Sequence, residues 1–250
     1  MTLKMEEMSW LELQQSIEQG YDTVLILMGS IEQHGPHLPM NTDTLIAEEL
    51  GVRTAEKLED ALLAPVIRPG CSRHHMEFPG TVSISSRTFK EIVTDYCLAY
   101  EKHGFKNIVL IPYHGGNYEP VEEIETELRY KLKKSNLVLV ADLEKSMQLM
   151  NNGMKEAGFD FEEPVIHAGA TETSILMAID EKLVRKERME KGHIGDLSIA
   201  NLFTKGLKYY TENGVLGDPV KANKEAGEII LESIVDWYVD VISEELSKTK

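Results

Sequence analysis

The sequence predicts an α/β protein, a three-layer α/β/α sandwich built around a mostly parallel central sheet. Two observations carry this reading. Short, continuous aliphatic runs recur along the chain, and between most of them the apolar residues switch to helical spacing. A run that is apolar at every position belongs to a strand covered on both faces, which is the condition of a parallel sheet between helical layers. The 250 residues, 42% hydrophobic and 27% charged, suit one domain spanning 1–250, with no internal repeat and no Pro- or Gly-rich linker to divide it.

The elements follow in order. Ser9 with Glu12 is a capping-box pattern that opens a short helix with Leu11, Leu13 and Ile17 on its apolar side, stopping at Gly20. Val24 to Met28 is the first buried strand, and Leu62–Val66, Thr81–Ile84, Asn107–Ile111 and Leu137–Val140 have the same length and character. Ile92, Val93, Tyr96, Cys97 and Tyr100 share one face of a helix closed by Gly104, and Val121, Ile124, Leu128 and Leu132 mark another. Met147, Met150 and Met154 stand at helical spacing, as core or subunit surface. Ile229, Ile230, Ile234, Trp237, Tyr238, Val241 and Ile242 form the wide stripe of a last helix, serving core or subunit contact. Residues 143–169 and 181–218 lack clear periodicity and are expected to be insertions, lids or subunit contacts.

Charge narrows the function. Lys and Arg number 26 against 42 Asp and Glu, a net −16, so neither nucleic acid nor an anionic membrane is an expected partner. Cys71 and Cys97 are far apart with no CxxC, pointing to a reducing compartment. The first ten residues are acidic rather than leader-like, and no aliphatic run is long enough to cross a bilayer, so a cytoplasmic protein is expected.

In open α/β sheets ligands collect beyond the carboxyl ends of the strands, and two loops there are rich in chemistry. After the first strand comes Gly29-Ser30-Ile31-Glu32-Gln33-His34-Gly35-Pro36-His37-Leu38-Pro39, with Asp43 at the expected N-cap of the next helix. After the strand ending near Ile111 comes Pro112-Tyr113-His114-Gly115-Gly116-Asn117. Two carboxylates, Glu32 and Asp43, with two imidazoles, His34 and His114, suit Zn²⁺, Mn²⁺ or Fe²⁺. The same residues also admit a plainer reading, in which Glu32 pairs with a cation, Asp43 only caps a helix and His34 lies at the surface. Glu172, in the first turn of a helix opening at Ala170 or Thr171, either compensates the helix dipole or completes a second metal position, with His167 just before it handling protons. Gly115 and Gly116 permit close backbone approach to a substrate, and Asn117 either orients substrate or caps the following helix. His37 fits a supporting or surface position and His103 a helix C-terminus, while His74 and His75 stand in a loop near the site.

These blocks together resemble the creatininase (creatinine amidohydrolase) family. The Gly29–Pro39 segment with Thr42-Asp43-Thr44 is similar to its signature, and Phe78-Pro79-Gly80-Thr81, His114-Gly115-Gly116-Asn117, His167 with Glu172-Thr173-Ser174, and Gly214-Val215-Leu216-Gly217-Asp218-Pro219 follow in the family's order. The resemblance implies an α/β/α fold, commonly hexameric, holding two divalent ions per chain and hydrolysing a cyclic amide or other C–N bond with metal-activated water. It places Glu32, Asp43 and His114 on one ion and His34 with Asp43 on the other, Asp43 bridging. Ser72 aligns with a substrate-contacting region, and Tyr113, Gly115, Gly116 and Asn117 join it as expected substrate contacts. Where creatininases proper carry a second-metal Glu, this chain has Gly116, and the role is reassigned to Glu172. The only tryptophans, Trp10 and Trp237, lie outside the family's flap region, which points away from creatinine itself. Related branches include a formamide deformylase of archaeal flavin synthesis and a peptide-maturation protein of the mycofactocin pathway. The expected substrate is accordingly a small cyclic amide or formamide. The alternatives are a metal-bearing peptide-binding or maturation protein engaging its peptide through residues 143–169, and a flavodoxin-like binder in which His114–Asn117 is only an anion-binding turn.

Overall fold

The computed structural model describes residues 2–248. Its sheet holds four parallel strands, β1 (Thr23–Met28), β2 (Ala61–Leu63), β3 (Asn107–Pro112) and β4 (Asn136–Leu139), in the order β2-β1-β3-β4. Every residue of β1 is buried, and its side chains alternate between two cores. Val24, Ile26 and Met28 pack with α1 (Trp10–Glu18), α3 (Ser86–His103) and α4 (Tyr118–Lys131). Leu25 and Leu27 pack on the other face with α2 (Thr42–Leu58), α5 (Leu143–Glu156), α6 (Ala170–Asp180) and α8 (Lys224–Ser247). The three-layer expectation holds, including the Ser9–Glu12 capping box and the glycine cap at Gly104.

The connectivity fixes where a ligand belongs. From β1 the chain crosses by α2 to β2 on one side, then returns by α3 to β3 on the other side of β1. Neighbouring strands whose connections leave to opposite faces open a crevice at their carboxyl ends. The Gly29–Pro39 and Tyr113–Asn117 loops both leave from that point.

Four expectations need correction. Thr81–Ile84 is not a strand: Val82 and Ser83 make single bridges, to Ile31 and Gly70, at a half-open rim with no partner strand to extend a ladder. β2 ends at Leu63: Ala64 N still donates to Leu25 O, but the next bond to β1 comes from Ile67 N to Leu27 O, one residue later than a regular ladder would place it. Residues 143–169 are not all irregular, since Asp142 caps α5 through Lys145 N at 2.8 Å. Within 181–218 the short helix α7 (Ile199–Lys205) packs on the turn at Arg73–His75. The stripe of α8 is core, with Ile230, Ile234, Tyr238 and Ile242 buried, and on α5 Met150 and Met154 are buried too. Among the described residues no helix is long and apolar enough to cross a membrane.

Candidate active site

The loop after β1 turns back across the sheet end and is fastened there by its own backbone and by Asn117. The Asn117 amide donates to Gly29 O at 2.9 Å and its oxygen accepts from Cys71 N at 3.0 Å. Asn117 is fully buried and makes no side-chain cap on α4, so the expected capping and substrate roles give way to a cross-brace between three loops. Asp43 is likewise not the N-cap. Asn41 holds that place, and Asp43 is the second residue of α2, in its first turn, where its carboxylate faces the crevice and accepts from Ser30 Oγ at 2.6 Å.

Asp43 is the hub of the site. One carboxylate oxygen stands 3.1 Å from His34 Nε2 and the other 3.2 Å from His114 Nδ1, so the two imidazoles approach it from opposite sides. His114 Nδ1 is also 3.3 Å from Glu32 Oε2, and His34 Nε2 is 3.8 Å from Glu172 Oε2. Beside a group of Glu32, His34 and His167, two further groups of ligand-capable atoms result, Glu32-Asp43-His114 and His34-Asp43-Glu172, each with its atoms within 4.8 Å of one another. Asp43 belongs to both. Glu32, Asp43 and Glu172 are all buried, the cavity lining contains no Lys or Arg, and Glu32 Oε2 has no hydrogen-bond partner. Buried carboxylates so arranged call for positive charge close by, from the imidazoles or from an ion, and a mixed oxygen and nitrogen donor set suits a divalent transition ion.

Gly116 explains why no carboxylate grows from that position. A Cβ there would overlap Cys71 O and stand 2.7 Å from His114 Nε2. Glu172 enters instead from α6, which arrives across the crevice. Its Oε2 accepts from Ala168 N at 2.6 Å, in a turn where Ala168 adopts φ +53°.

Electrostatics reflect the crowding. Burial opposes a charged His34, but Asp43 and Glu172 outweigh it and raise the imidazole to about 10. His114 is raised to about 9, burial again being overcome by Glu32 and Asp43. Asp43 is held well below the usual carboxylate range, its burial outweighed by His34 and His114. Burial pushes Glu172 up to about 7, against the pull of His34.

Around this centre stand residues the sequence reading weighed lightly or missed. Gln33, between Glu32 and His34, was overlooked because a glutamine carries no charge. Its oxygen accepts from Gly35 N at 2.9 Å, so its NH₂ faces His167 Nε2 at 2.8 Å, His75 Nδ1 at 3.1 Å and Gly214 O at 3.2 Å. An NH₂ only donates, so both rings accept there and carry their protons on His167 Nδ1 and His75 Nε2, the nitrogens nearest Glu32. Glu163, buried beneath α6, also gave no sequence signal. Ser72, expected against substrate, is fully buried with its Oγ 3.3 Å from His114 Nε2. His37 is buried with Nε2 2.9 Å from Thr173 Oγ1, a supporting position as expected. Tyr113, Gly115, Gly116 and His167 line a cavity of about 240 Å³ together with Glu32, Asp43, His114 and Glu172.

The family model described as creatininase (creatinine amidohydrolase) matches residues 6–242. The chain belongs to the creatininase family. Membership places it among hydrolases acting on carbon–nitrogen bonds. It is 32% identical over 228 residues to a mycofactocin precursor peptide peptidase of Mycolicibacterium smegmatis, covering 88% of this chain and 83% of that one. Creatinine amidohydrolase of Pseudomonas putida is 28% identical over 257 residues, covering 97% of each chain. A solved creatininase with manganese superposes with a TM-score of 0.81 at 27% identity, over 98% of this chain and 99% of that one. This creatininase-family chain thus shares its whole architecture with metal-bearing relatives, and the centre around Asp43 lies at the sheet end where the two strand-end loops meet.

Proposed function

We propose that the chain is a dinuclear metal-dependent amidohydrolase, and the observation that carries this reading is Asp43 shared between two donor groups. Glu32, Asp43 and His114 would hold one divalent ion, and His34, Asp43 and Glu172 the other, with Zn²⁺, Mn²⁺ and Fe²⁺ all suited to the donors. Such a pair polarises an amide carbonyl and makes water nucleophilic at neutral pH. The chain's own residues supply the rest. Glu172, which lines the cavity, is the carboxylate that would exchange a proton with the attacking water. His167 presents its Nδ1–H to the reacting amide as a hydrogen-bond donor, because Gln33 occupies its other nitrogen. The proton-shuttle role expected for His167 is thereby narrowed to donation. Gly115 and Gly116 keep the cavity floor open to the substrate.

The substrate is a small amide, either a cyclic amide or a formamide. A second reading, processing of a peptide amide, is favoured by the relative named as a peptide peptidase and by the cavity walls that α5 and residues 165–167 supply. The chain acts in this reading as a cytoplasmic homo-oligomer, with hexamers the expectation from the family resemblance.

The test is metal content against turnover. Protein purified without chelator is assayed by elemental mass spectrometry and then with cyclic amides, formamides and short peptides. Two ions per chain with turnover of any of them supports the proposal. A chain that takes up no Zn²⁺ or Mn²⁺ overturns it. His167→Ala is expected to keep both ions and lose most of its turnover.

A further inference from the structure

The cavity beside the metal centre has two unlike sides, and they define a substrate class. On the inner side Tyr113 Oη and His74 Nδ1 are buried polar atoms without a hydrogen-bond partner, in residues 7% and 8% exposed that both line the cavity. They flank the centre. Tyr113 lies within the field of Glu172 and Asp43, whereas the His74 ring stacks 5.9 Å from that of His114 and 4.6 Å from that of Phe203. A buried polar atom left unpaired costs about 1–3 kcal/mol, so two of them in residues that line one cavity mark places where a bound molecule supplies the partner.

The outer side is apolar. Met147 and Met150 of α5, Ile199, Leu202 and Phe203 of α7, and Leu216 form it. Ile199 and Phe203 remain 53% and 50% exposed although large and apolar, and they sit at the cavity's rim. Neighbouring exposed apolar side chains beside a pocket are the mark of a contact completed by a ligand. No lysine or arginine lines the cavity, so an anionic side chain seated against the apolar wall, away from the centre itself, would find no counter-charge there.

We infer that the site takes an uncharged amide bearing an apolar side chain, with the side chain seated on α7 and α5 and the polar groups flanking the scissile bond held by Tyr113 and His74. This rests on the amide-hydrolase reading of the same centre, and it makes Phe203 and Tyr113 specificity-determining residues. It disfavours phosphorylated and carboxylate-bearing amides.

The experiment is calorimetric binding to the metal-loaded full chain of N-acetylphenylalaninamide, N-acetylglycinamide and the α-amide of N-acetylaspartate, with hydrolysis of each followed in parallel. The phenylalanine probe is expected to bind at least about tenfold tighter than the glycine probe, and the aspartate probe more weakly than either. Phe203→Ser, at a half-exposed position, should bring the phenylalanine and glycine probes to within about threefold of each other. Tyr113→Phe should weaken both by a similar factor, about tenfold. Equal affinities for the phenylalanine and glycine probes, or no binding of the phenylalanine probe, overturn the inference. Turnover without side-chain preference upholds the hydrolase reading and overturns this inference, whereas side-chain-selective binding upholds this inference whether or not these probes are hydrolysed.

Discussion

The Glu163 carboxylate closes the N-terminus of the helix that carries Glu172, its Oε1 accepting from Ala170 N at 2.7 Å. Its Oε2 accepts from Thr171 N at 3.1 Å, and Asn151 grips the Glu163 backbone through hydrogen bonds of 2.9 and 3.1 Å. Gly169 and Gly217 leave the room for it, since a Cβ at either would overlap the carboxylate. Two carboxylate oxygens at two helical N–H groups satisfy donors that Gly169, having no side chain, leaves open. Glu163→Gln replaces one accepting oxygen with an NH₂ facing a backbone N–H. It is expected to cost about 1–3 kcal/mol, read as a lower denaturant midpoint of the metal-free protein, and to loosen the ion beside Glu172 more than the other. An unchanged midpoint would show that the helix needs no cap.

Asp43 and Glu172 should separate in metal stoichiometry. Asp43→Asn removes a donor from both groups and is expected to leave little of either ion, with activity lost. Glu172→Gln removes one donor from one group, so a single ion should survive dialysis. Elemental mass spectrometry on both variants decides this, and a Glu172→Gln chain that keeps two tightly held ions would place the second position elsewhere.

Proton linkage gives a signed prediction. In the metal-free chain His34 and His114 are raised from 6.5 to about 10 and about 9, and Glu172 from 4.5 to about 7. Groups raised in the folded state favour their protonated forms there. The histidines' contribution is therefore full below pH 6.5 and is lost as pH rises through 9 to 10, and that of Glu172 fades between 4.5 and 7. On the acid side His37, His74, His75 and His167, all lowered by burial, oppose this and make the unfolding midpoint of metal-free protein rise with pH, whereas above about pH 7 it should fall. Metal affinity runs the other way, because an ion displaces these protons. Zn²⁺ uptake at pH 8 should release protons, detectable as a dependence of binding heat on buffer ionisation enthalpy. Uptake that releases none would contradict the raised imidazoles.

Gly116→Glu tests whether this position tolerates the carboxylate found there in creatininases proper. The Cβ would collide with the Cys71 carbonyl, so the variant should be destabilised and bind less metal, with no extra ion gained. A stable Gly116→Glu chain with wild-type metal content would mean that the Cys71 loop yields.

Asn117→Ala removes the brace between Gly29 and Cys71, leaving a buried carbonyl and a buried N–H unpaired. About 1–3 kcal/mol for each is expected, visible as a lower unfolding midpoint. A near-neutral result would show that other contacts hold these loops.

Much of this was legible in the residues. The aliphatic runs ending at Met28 and near Ile111, with helical spacing between them, specify parallel strands because side-chain period is a local property of the chain. Glu32, His34, Asp43 and His114 announce themselves as metal-ligating types at strand ends, and the structure gathers all four. Local pattern misplaced Thr81–Ile84, whose residues suit a strand but find no neighbouring strand to pair with. Asn117, read as a helix cap or a substrate contact, and Ser72, set against substrate by the family resemblance, are both fully buried. A polar side chain in a loop looks the same in sequence whether it faces a cavity or fastens two backbones together, and burial distinguishes them.

What long-range packing alone supplied is the meeting of segments more than a hundred residues apart. Glu172 reaches His34 because α6 packs across the sheet end, and His167 meets Gln33 for the same reason. Glu163 beneath α6, and the pairing of Tyr113 and His74 with the apolar wall of α7, have no periodicity or motif to betray them. They arise from the three-dimensional closure of loops whose ends the strand order brings together. The types of residue that do the chemistry are thus written in the chain, whereas which of them touch, and which only support, follows from how the layers close.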